Sequence, residues 1–146
     1  MEVELWKECL SCKNKGCCKL DIAYPLFVTQ EEDVKIKKYY PNQNCFNKKF
    51  PCPFFNKNYL CDIHNIRPVD CRFFPFDIIK INEKFFWIIW KIDCPIIEYE
   101  DFEDCLEQFE EELIPYFKTY LQEYSKFRLE EFLNKYKFEV IREVNY

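Results

Sequence analysis

Ten cysteines constrain this 146-residue chain more than any other feature, and nine of them come before residue 95. Four lie within the first 25 residues, where the sequence has neither a helical nor a strand period. Something other than apolar packing must therefore order this segment. Closely spaced thiols of this kind either form disulfides or bind metal ions.

The redox compartment decides between these two uses of cysteine. The sequence opens with Met-Glu-Val-Glu, without a basic segment followed by an apolar one, so we expect a cytoplasmic protein with reduced thiols. Metal binding is then favoured over disulfides. A disulfide framework is the alternative, because the richness in Lys, Glu, Ile and Tyr is typical of thermophiles, whose intracellular proteins can contain disulfides.

The scarcity of glycine, histidine and serine excludes several classes of function. Gly16 is the only glycine, whereas a phosphate loop of the dinucleotide or Walker type needs two or three, because a Cβ blocks the approach of the backbone to phosphate. His64 is the only histidine, so a three-histidine catalytic metal site is excluded. The two serines disfavour a serine triad.

Charge and hydropathy also limit the kinds of partner that the chain can have. The net charge of -5 argues against nucleic-acid binding, and no apolar run is long enough for a membrane span. Residues 1–97 contain 15 basic and 12 acidic side chains, whereas residues 98–146 contain 6 basic and 14 acidic ones. We interpret the acidic stretch at 98–112 as a solvated helix face, with the binding of hard cations or of a basic protein partner as the second interpretation.

Local patterns predict the main secondary-structure elements. Thr29 and Glu32 form a capping-box pattern that predicts a helix of about ten residues ending before Pro41. Residues 76–81 and 85–90 predict a β-hairpin, since they are rich in β-branched and aromatic side chains. Beyond residue 97 the period becomes helical, with a break or restart at Pro115. The two apolar stripes are Tyr99, Phe102, Leu106, Phe109 and Leu113, and then Phe117, Tyr120, Leu121, Tyr124, Phe132, Leu133 and Tyr136.

We therefore predict one compact α+β domain in two parts. Residues 1–97 form a cysteine-rich metal-binding region with a small antiparallel hairpin, and residues 98–146 form a helical C-terminal extension packed on it. Metal ions would organise the first part, and the C-terminal helices would close it.

The spacing of the cysteines favours metal ligation. Cys9 and Cys12 are separated by two residues, as in many thiolate loops, and Gly16 precedes Cys17 and Cys18, where a ligand loop benefits from a residue without a Cβ. The later candidates are Cys52, Cys61, Cys71 and Cys94. These eight permit two four-thiolate sites, or one cluster beside structural thiols. We interpret Cys45 and Cys105 as spare thiols, Cys105 as a small core residue.

Three motifs together resemble a known family. They are the Cys9-x2-Cys12 pair running to Cys17-Cys18, the sequence CDIHNIRPVDCRFFP at residues 61–75, and the two Cys-Pro dipeptides that begin at Cys52 and Cys94. In these motifs the chain resembles the YkgJ-type cysteine-cluster family, whose members are described as zinc- or iron-chelating proteins. The resemblance covers residues 9–94.

The resemblance implies a ligand set and a cofactor. The implied metal ligands are Cys9, Cys12, Cys17, Cys18, Cys52, Cys61, Cys71 and Cys94. A related module in flagellin lysine N-methylases carries a [4Fe-4S] cluster, so the resemblance implies an iron-sulfur protein here, with zinc as the alternative. Three hypotheses follow: an iron-sulfur protein, a structural zinc module that presents its acidic helices to a protein partner, and a small methyltransferase-like enzyme or subunit. Whether the chain is an enzyme is left open.

Three polar residues near the cysteines have two interpretations each. His64 follows Cys61 by three residues and could be a ligand, although a hydrogen-bonded imidazole beside the site is favoured. Arg67 and Arg72 could offset the negative charge of a thiolate centre. The alternative is that both are surface arginines paired with neighbouring aspartates.

Overall fold

The computed structural model describes residues 26–42, 62–91, 102–127 and 136–146. In these ranges helices and strands alternate with short turns, so the predicted α+β class is confirmed. The elements in chain order are α1 (Gln30–Lys37), a 3-10 turn (His64–Ile66), α2 (Val69–Phe73), β1 (Phe76–Ile81), β2 (Lys84–Trp90), α3 (Phe102–Glu112), α4 (Ile114–Phe117), a 3-10 turn (Lys118–Tyr120), α5 (Leu121–Phe127) and β3 (Phe138–Glu143).

The predicted hairpin is present as β1 and β2. The two strands are antiparallel and pair from Phe76 with Ile89 to Ile81 with Lys84. The two turn residues, Asn82 and Glu83, both have positive φ, at 51° and 69°. A two-residue turn with this backbone matches the twist of the strands that it joins.

The last 49 residues are not wholly helical, which corrects our prediction for 98–146. Phe138–Glu143 forms β3, which pairs antiparallel with β2 and makes the sheet order β1-β2-β3. The register shifts between Trp87 and Ile88. All six side chains of β3 are exposed or half-buried. Its apolar residues Phe138, Val140 and Ile141 do not alternate regularly, since Ile141 is the extra residue at the register shift, so the sequence lacks the period of a strand.

The helical predictions are otherwise confirmed where the structure describes them. Thr29 caps α1 with both bonds of the capping box, and α1 has eight residues. α3 ends at Glu112, and α4 restarts with Pro115 in its first turn, where no backbone donor is lost. Tyr99, Phe132 and Leu133 lie outside the described residues. Within the described ranges, no helix has the length and apolar character needed to cross a membrane.

One large cluster of buried side chains, the main core, lies between the sheet and the helices. It contains Phe27, Phe73, Phe76, Ile78, Trp87, Ile89, Cys105, Leu106, Phe109, Leu113, Ile114, Phe117, Leu121, Tyr124 and Val144. Aromatic rings meet edge to face in it, as Phe73 does with Trp87 at a centroid distance of 5.1 Å. The main core thus joins residues on both sides of position 97; the division there stays a prediction.

A second apolar group, the small cluster, consists of Leu26, Val28, Ile36 and Ile63. It packs α1 against the residues that lead into α2. Phe73 at one end of α2 belongs to the main core, whereas Cys71 packs against the small cluster. The fold therefore places α2 between the two clusters.

Candidate metal centre

Of the eight predicted ligands, Cys71 is the one that the structure describes. The other seven lie outside the described residues: Cys9, Cys12, Cys17, Cys18, Cys52, Cys61 and Cys94. Within the described ranges, no group of three or more His, Cys, Asp or Glu side chains is arranged to hold a metal ion. The ligand set as a whole therefore stays a prediction.

Cys71 lies in the middle of the short helix α2. Pro68 precedes the helix, and its carbonyl accepts hydrogen bonds from the backbone N–H groups of Cys71 and Arg72, at 3.0 and 3.2 Å. The helix ends before Phe74, because the residue ahead of Pro75 is disfavoured in the helical region. Cys71 is a half-buried thiol with the small cluster on one side.

Two arginines flank Cys71 in sequence and add positive charge to its surroundings. Arg67 is only 7% exposed, so the interpretation of Arg67 as a surface arginine is wrong. Burial lowers the pKa of Arg72, and the charge of Arg67 lowers it further, whereas Glu32, Cys71 and Glu112 act in the opposite direction. Nearby guanidinium groups favour the thiolate form of a cysteine. This setting fits a negatively charged metal-thiolate centre.

A fully buried carboxylate, Asp70, precedes Cys71. Its Oδ2 accepts the backbone N–H of Phe27 at 2.9 Å, and its Oδ1 accepts the hydroxyl of Tyr124 at 2.7 Å. These bonds join α2 to the segment before α1 and to α5. Three regions distant in sequence thus meet beside the candidate ligand.

Glu32 makes the opposite connection, from α1 to α2. Its Oε1 accepts the N–H of Thr29 at 2.9 Å, which completes the capping box, and its Oε2 accepts the N–H of Val69 at 2.6 Å. One side chain thus satisfies donors at the start of both helices. Burial raises the pKa of Glu32, although the hydrogen bonds from Thr29 and Val69 oppose this shift.

Sequence reasoning missed Asp70 and the second role of Glu32. The available signal was weak: a carboxylate in the apolar motif 66–76, and a tyrosine within the apolar stripe of α5. Neither feature shows that Asp70 and Tyr124 meet across 54 residues. The backbone of His64 begins the 3-10 turn, and its side chain lies outside the described part. Cys45 also lies outside it.

Cys105 lies on α3 and is fully buried in the main core, as predicted. It is a thiol surrounded by apolar side chains of the sheet and helices. Cys105 therefore serves as a comparison for Cys71, because the two thiols have different surroundings in one molecule.

Part of the acidic stretch pairs within the molecule instead of facing solvent. Arg142 of β3 donates to Glu103 at 2.8 Å and to Glu110 at 2.7 and 2.8 Å. Glu110 also accepts hydrogen bonds from Trp87 Nε1 and from the backbone of Asn145. The interpretation of this face as wholly solvated is therefore wrong at Glu110, whose side chain is 7% exposed.

Comparison with known proteins identifies a family through the cysteine-rich part of the chain. No curated protein and no solved structure matches it. Residues 8–95, more than half of the chain, match the family model CxxCxxCC, described as a putative zinc- or iron-chelating domain. The match includes all eight predicted ligands together with the described helix α2. The chain therefore belongs to the CxxCxxCC family, the YkgJ-type family that its motifs resemble.

Proposed function

We propose that this protein binds an iron-sulfur cluster of the [4Fe-4S] type through cysteine thiolates. The proposed ligands come from the set Cys9, Cys12, Cys17, Cys18, Cys52, Cys61, Cys71 and Cys94. The observation that carries the proposal is the match of residues 8–95 to a family described as zinc- or iron-chelating. Thiolates are soft ligands, and iron-sulfur clusters and zinc are the centres that such sites select.

The surroundings of Cys71 support a negatively charged centre. Four thiolates on a cluster of charge 2+ leave a net charge of -2, which a dry site must offset. Arg72 interacts electrostatically with Cys71 and with the buried Arg67, so both arginines add positive charge to this region. The small cluster keeps one side of the thiol apolar. A bound cluster would supply one-electron redox chemistry, whereas the residues around Cys71 would hold it and offset its charge.

A structural zinc site is the second candidate function. The family description names zinc beside iron. Zinc with four thiolates also has a net charge of -2, so Arg67 and Arg72 suit it equally well. The Cys-Pro dipeptides at Cys52 and Cys94 favour the cluster, because proline follows a ligand cysteine in ferredoxin-type loops.

Metal and sulfide analysis of protein purified without air distinguishes the two candidates. Iron with an equal amount of acid-labile sulfide, and visible absorption that dithionite bleaches, would support the cluster. Colourless protein with stoichiometric zinc would favour the structural site. Protein that holds neither metal, before and after anaerobic incubation with iron and sulfide or with zinc, would contradict metal binding.

A further inference from the structure

Two carboxylates connect α1 and α2 in opposite directions, and we call this pair the carboxylate clamp. Asp70 of α2 accepts the backbone N–H of Phe27, and Glu32 of α1 accepts the backbone N–H of Val69. The two bonds span 43 and 37 residues of sequence. Because both acceptors are side chains and both donors are backbone groups, the clamp fixes one backbone segment relative to the other.

Burying the carboxylate of Asp70 costs desolvation free energy that a purely structural residue would not require. Asp70 is 0% exposed, and a buried carboxylate often contributes less to stability than an apolar side chain of the same volume. Its hydrogen bonds to Phe27 and Tyr124 satisfy the charge in one arrangement of three segments. Such a group specifies position more than it adds stability.

We propose that Asp70 is a positioning residue of the metal centre, and that Glu32 is its counterpart on α1. The clamp holds the backbone of α2, and with it Cys71, in one place beside the small cluster. This inference rests on the proposed function, since it assumes that Cys71 is a ligand. Asp70 acts through the backbone of Cys71 and does not itself bind the metal.

Asp77 provides a matched control within the same chain. It is also a buried aspartate, at the start of β1, and it also accepts one backbone and one side-chain donor. Its Oδ1 accepts the N–H of Ile78 at 2.8 Å, and its Oδ2 accepts Nε1–H of Trp90 at 3.0 Å. In Asp70→Asn and in Asp77→Asn alike, an amide N–H₂ faces one of the original donors, so each variant loses a buried hydrogen bond.

The experiment measures the rate at which the folded full-length protein, loaded with its metal, releases it to a chromogenic chelator under nitrogen. We expect Asp70→Asn to release metal about tenfold faster than the unmodified protein, as for other residues that orient ligands. Asp77→Asn should stay within about twofold, because its hydrogen bonds from Ile78 and Trp90 lie within the β1–β2 hairpin and do not connect α1 to α2. The visible charge-transfer spectrum should also change in Asp70→Asn alone, recorded on the cluster itself or, if the protein holds zinc, on the Co²⁺-substituted form.

Urea denaturation of both variants separates positioning from general stability. If the two lose similar unfolding free energy and also release metal at the same rate, the positioning role is overturned while metal binding stands. If Asp70→Asn does not fold, Glu32→Gln takes its place, with the same expectation and the same overturning result. Unmodified protein that holds no metal would overturn the proposed function and this inference with it.

Discussion

The main core and the small cluster differ in size and in the groups that complete them. Among the described residues, the main core has fifteen buried members, most of them on strands and helices, whereas the small cluster has four. The main core is mostly aromatic and aliphatic. The region around the small cluster instead gathers Cys71, Glu32 and two arginines, and Asp70 links α2 there to Phe27 and Tyr124 of the main core.

This difference suggests separate sources of stability for the two regions. Fifteen buried side chains, each contributing about 1.5–3 kcal/mol, can hold the sheet and the C-terminal helices together. Four buried aliphatic side chains contribute correspondingly less to the surroundings of Cys71. We infer that hydrogen bonds and bound metal supply the rest there.

Replacing Cys71 and Cys105 should give the largest contrast. Cys71→Ala removes a proposed ligand and should abolish most metal binding, which contributes on the order of 10 kcal/mol in thiolate sites. Cys105→Ala removes a thiol of the main core, so it should keep its metal and lose about 1 kcal/mol of unfolding free energy. Metal analysis and urea denaturation check both effects. Equal metal contents in the two variants would show that Cys71 is not a ligand.

Truncation of Phe109 should lower stability without loss of metal, the reverse of the effect expected for Cys71→Ala. The Phe109 ring contacts those of Phe73 and Trp87, at centroid distances of 5.3 and 5.9 Å. Phe109→Ala should therefore lower the unfolding free energy by about 3–5 kcal/mol, with the metal content of the folded fraction unchanged. Tyr116→Ala is the control, because Tyr116 is 80% exposed and its loss should cost less than about 0.5 kcal/mol. Loss of metal in Phe109→Ala would mean that the two regions are not separate.

Local signals account for what could be predicted of the fold. The capping box at Thr29, the hairpin around Asn82 and the restart at Pro115 each depend on a few neighbouring residues. β3 could not be found in this way. All six of its side chains are exposed or half-buried, and Arg142 gains its partners from α3, more than thirty residues earlier.

The candidate site likewise has one feature that local sequence signals could identify and others that depend on long-range contacts. Cys71 was identified as a candidate ligand from its motif, because residue type and spacing carry the chemistry of a thiolate ligand; that role stays a prediction. The clamp was not, since Asp70 meets Phe27 and Tyr124 across 43 and 54 residues. The burial of Arg67 depends on the same long-range packing.

The ion pairs that hold β3 should make the stability of the main-core region depend on pH. Burial alone would raise the pKa of Glu110, but the hydrogen bonds from Arg142, Asn145 and Trp87 outweigh it and lower the pKa. A lowered pKa gives stability that is present above the pKa of an unfolded glutamate, about 4.3. This stability is lost as the pH falls through the lower value in the folded protein.

Glu110→Gln isolates this effect. It should lower the unfolding free energy by about 2 kcal/mol at pH 7, because it weakens charge-assisted hydrogen bonds. The difference from the unmodified protein should shrink as the pH falls below about 4. Urea denaturation across this pH range measures it, and Glu107→Gln on the exposed side of α3 is the control. A difference that stays constant with pH would rule out the charge of Glu110 as the cause.

The smallest expected effect is an increase in unfolding free energy from a substitution in the hairpin turn. Glu83 has φ of 69°, which costs an ordinary L-residue about 1–2 kcal/mol and glycine almost nothing. Glu83→Gly should therefore raise the unfolding free energy by about 1 kcal/mol. Glu83→Ala is the matched control, because it also removes the ion pair with Lys80 at 3.0 Å but keeps the Cβ. The Glu83 side chain is 89% exposed, so losing that pair should matter little. If Glu83→Gly and Glu83→Ala are equally stable, the positive φ of residue 83 carries no strain. If Glu83→Gly stabilises the fold without slowing metal release, the sheet and the surroundings of Cys71 are energetically separate.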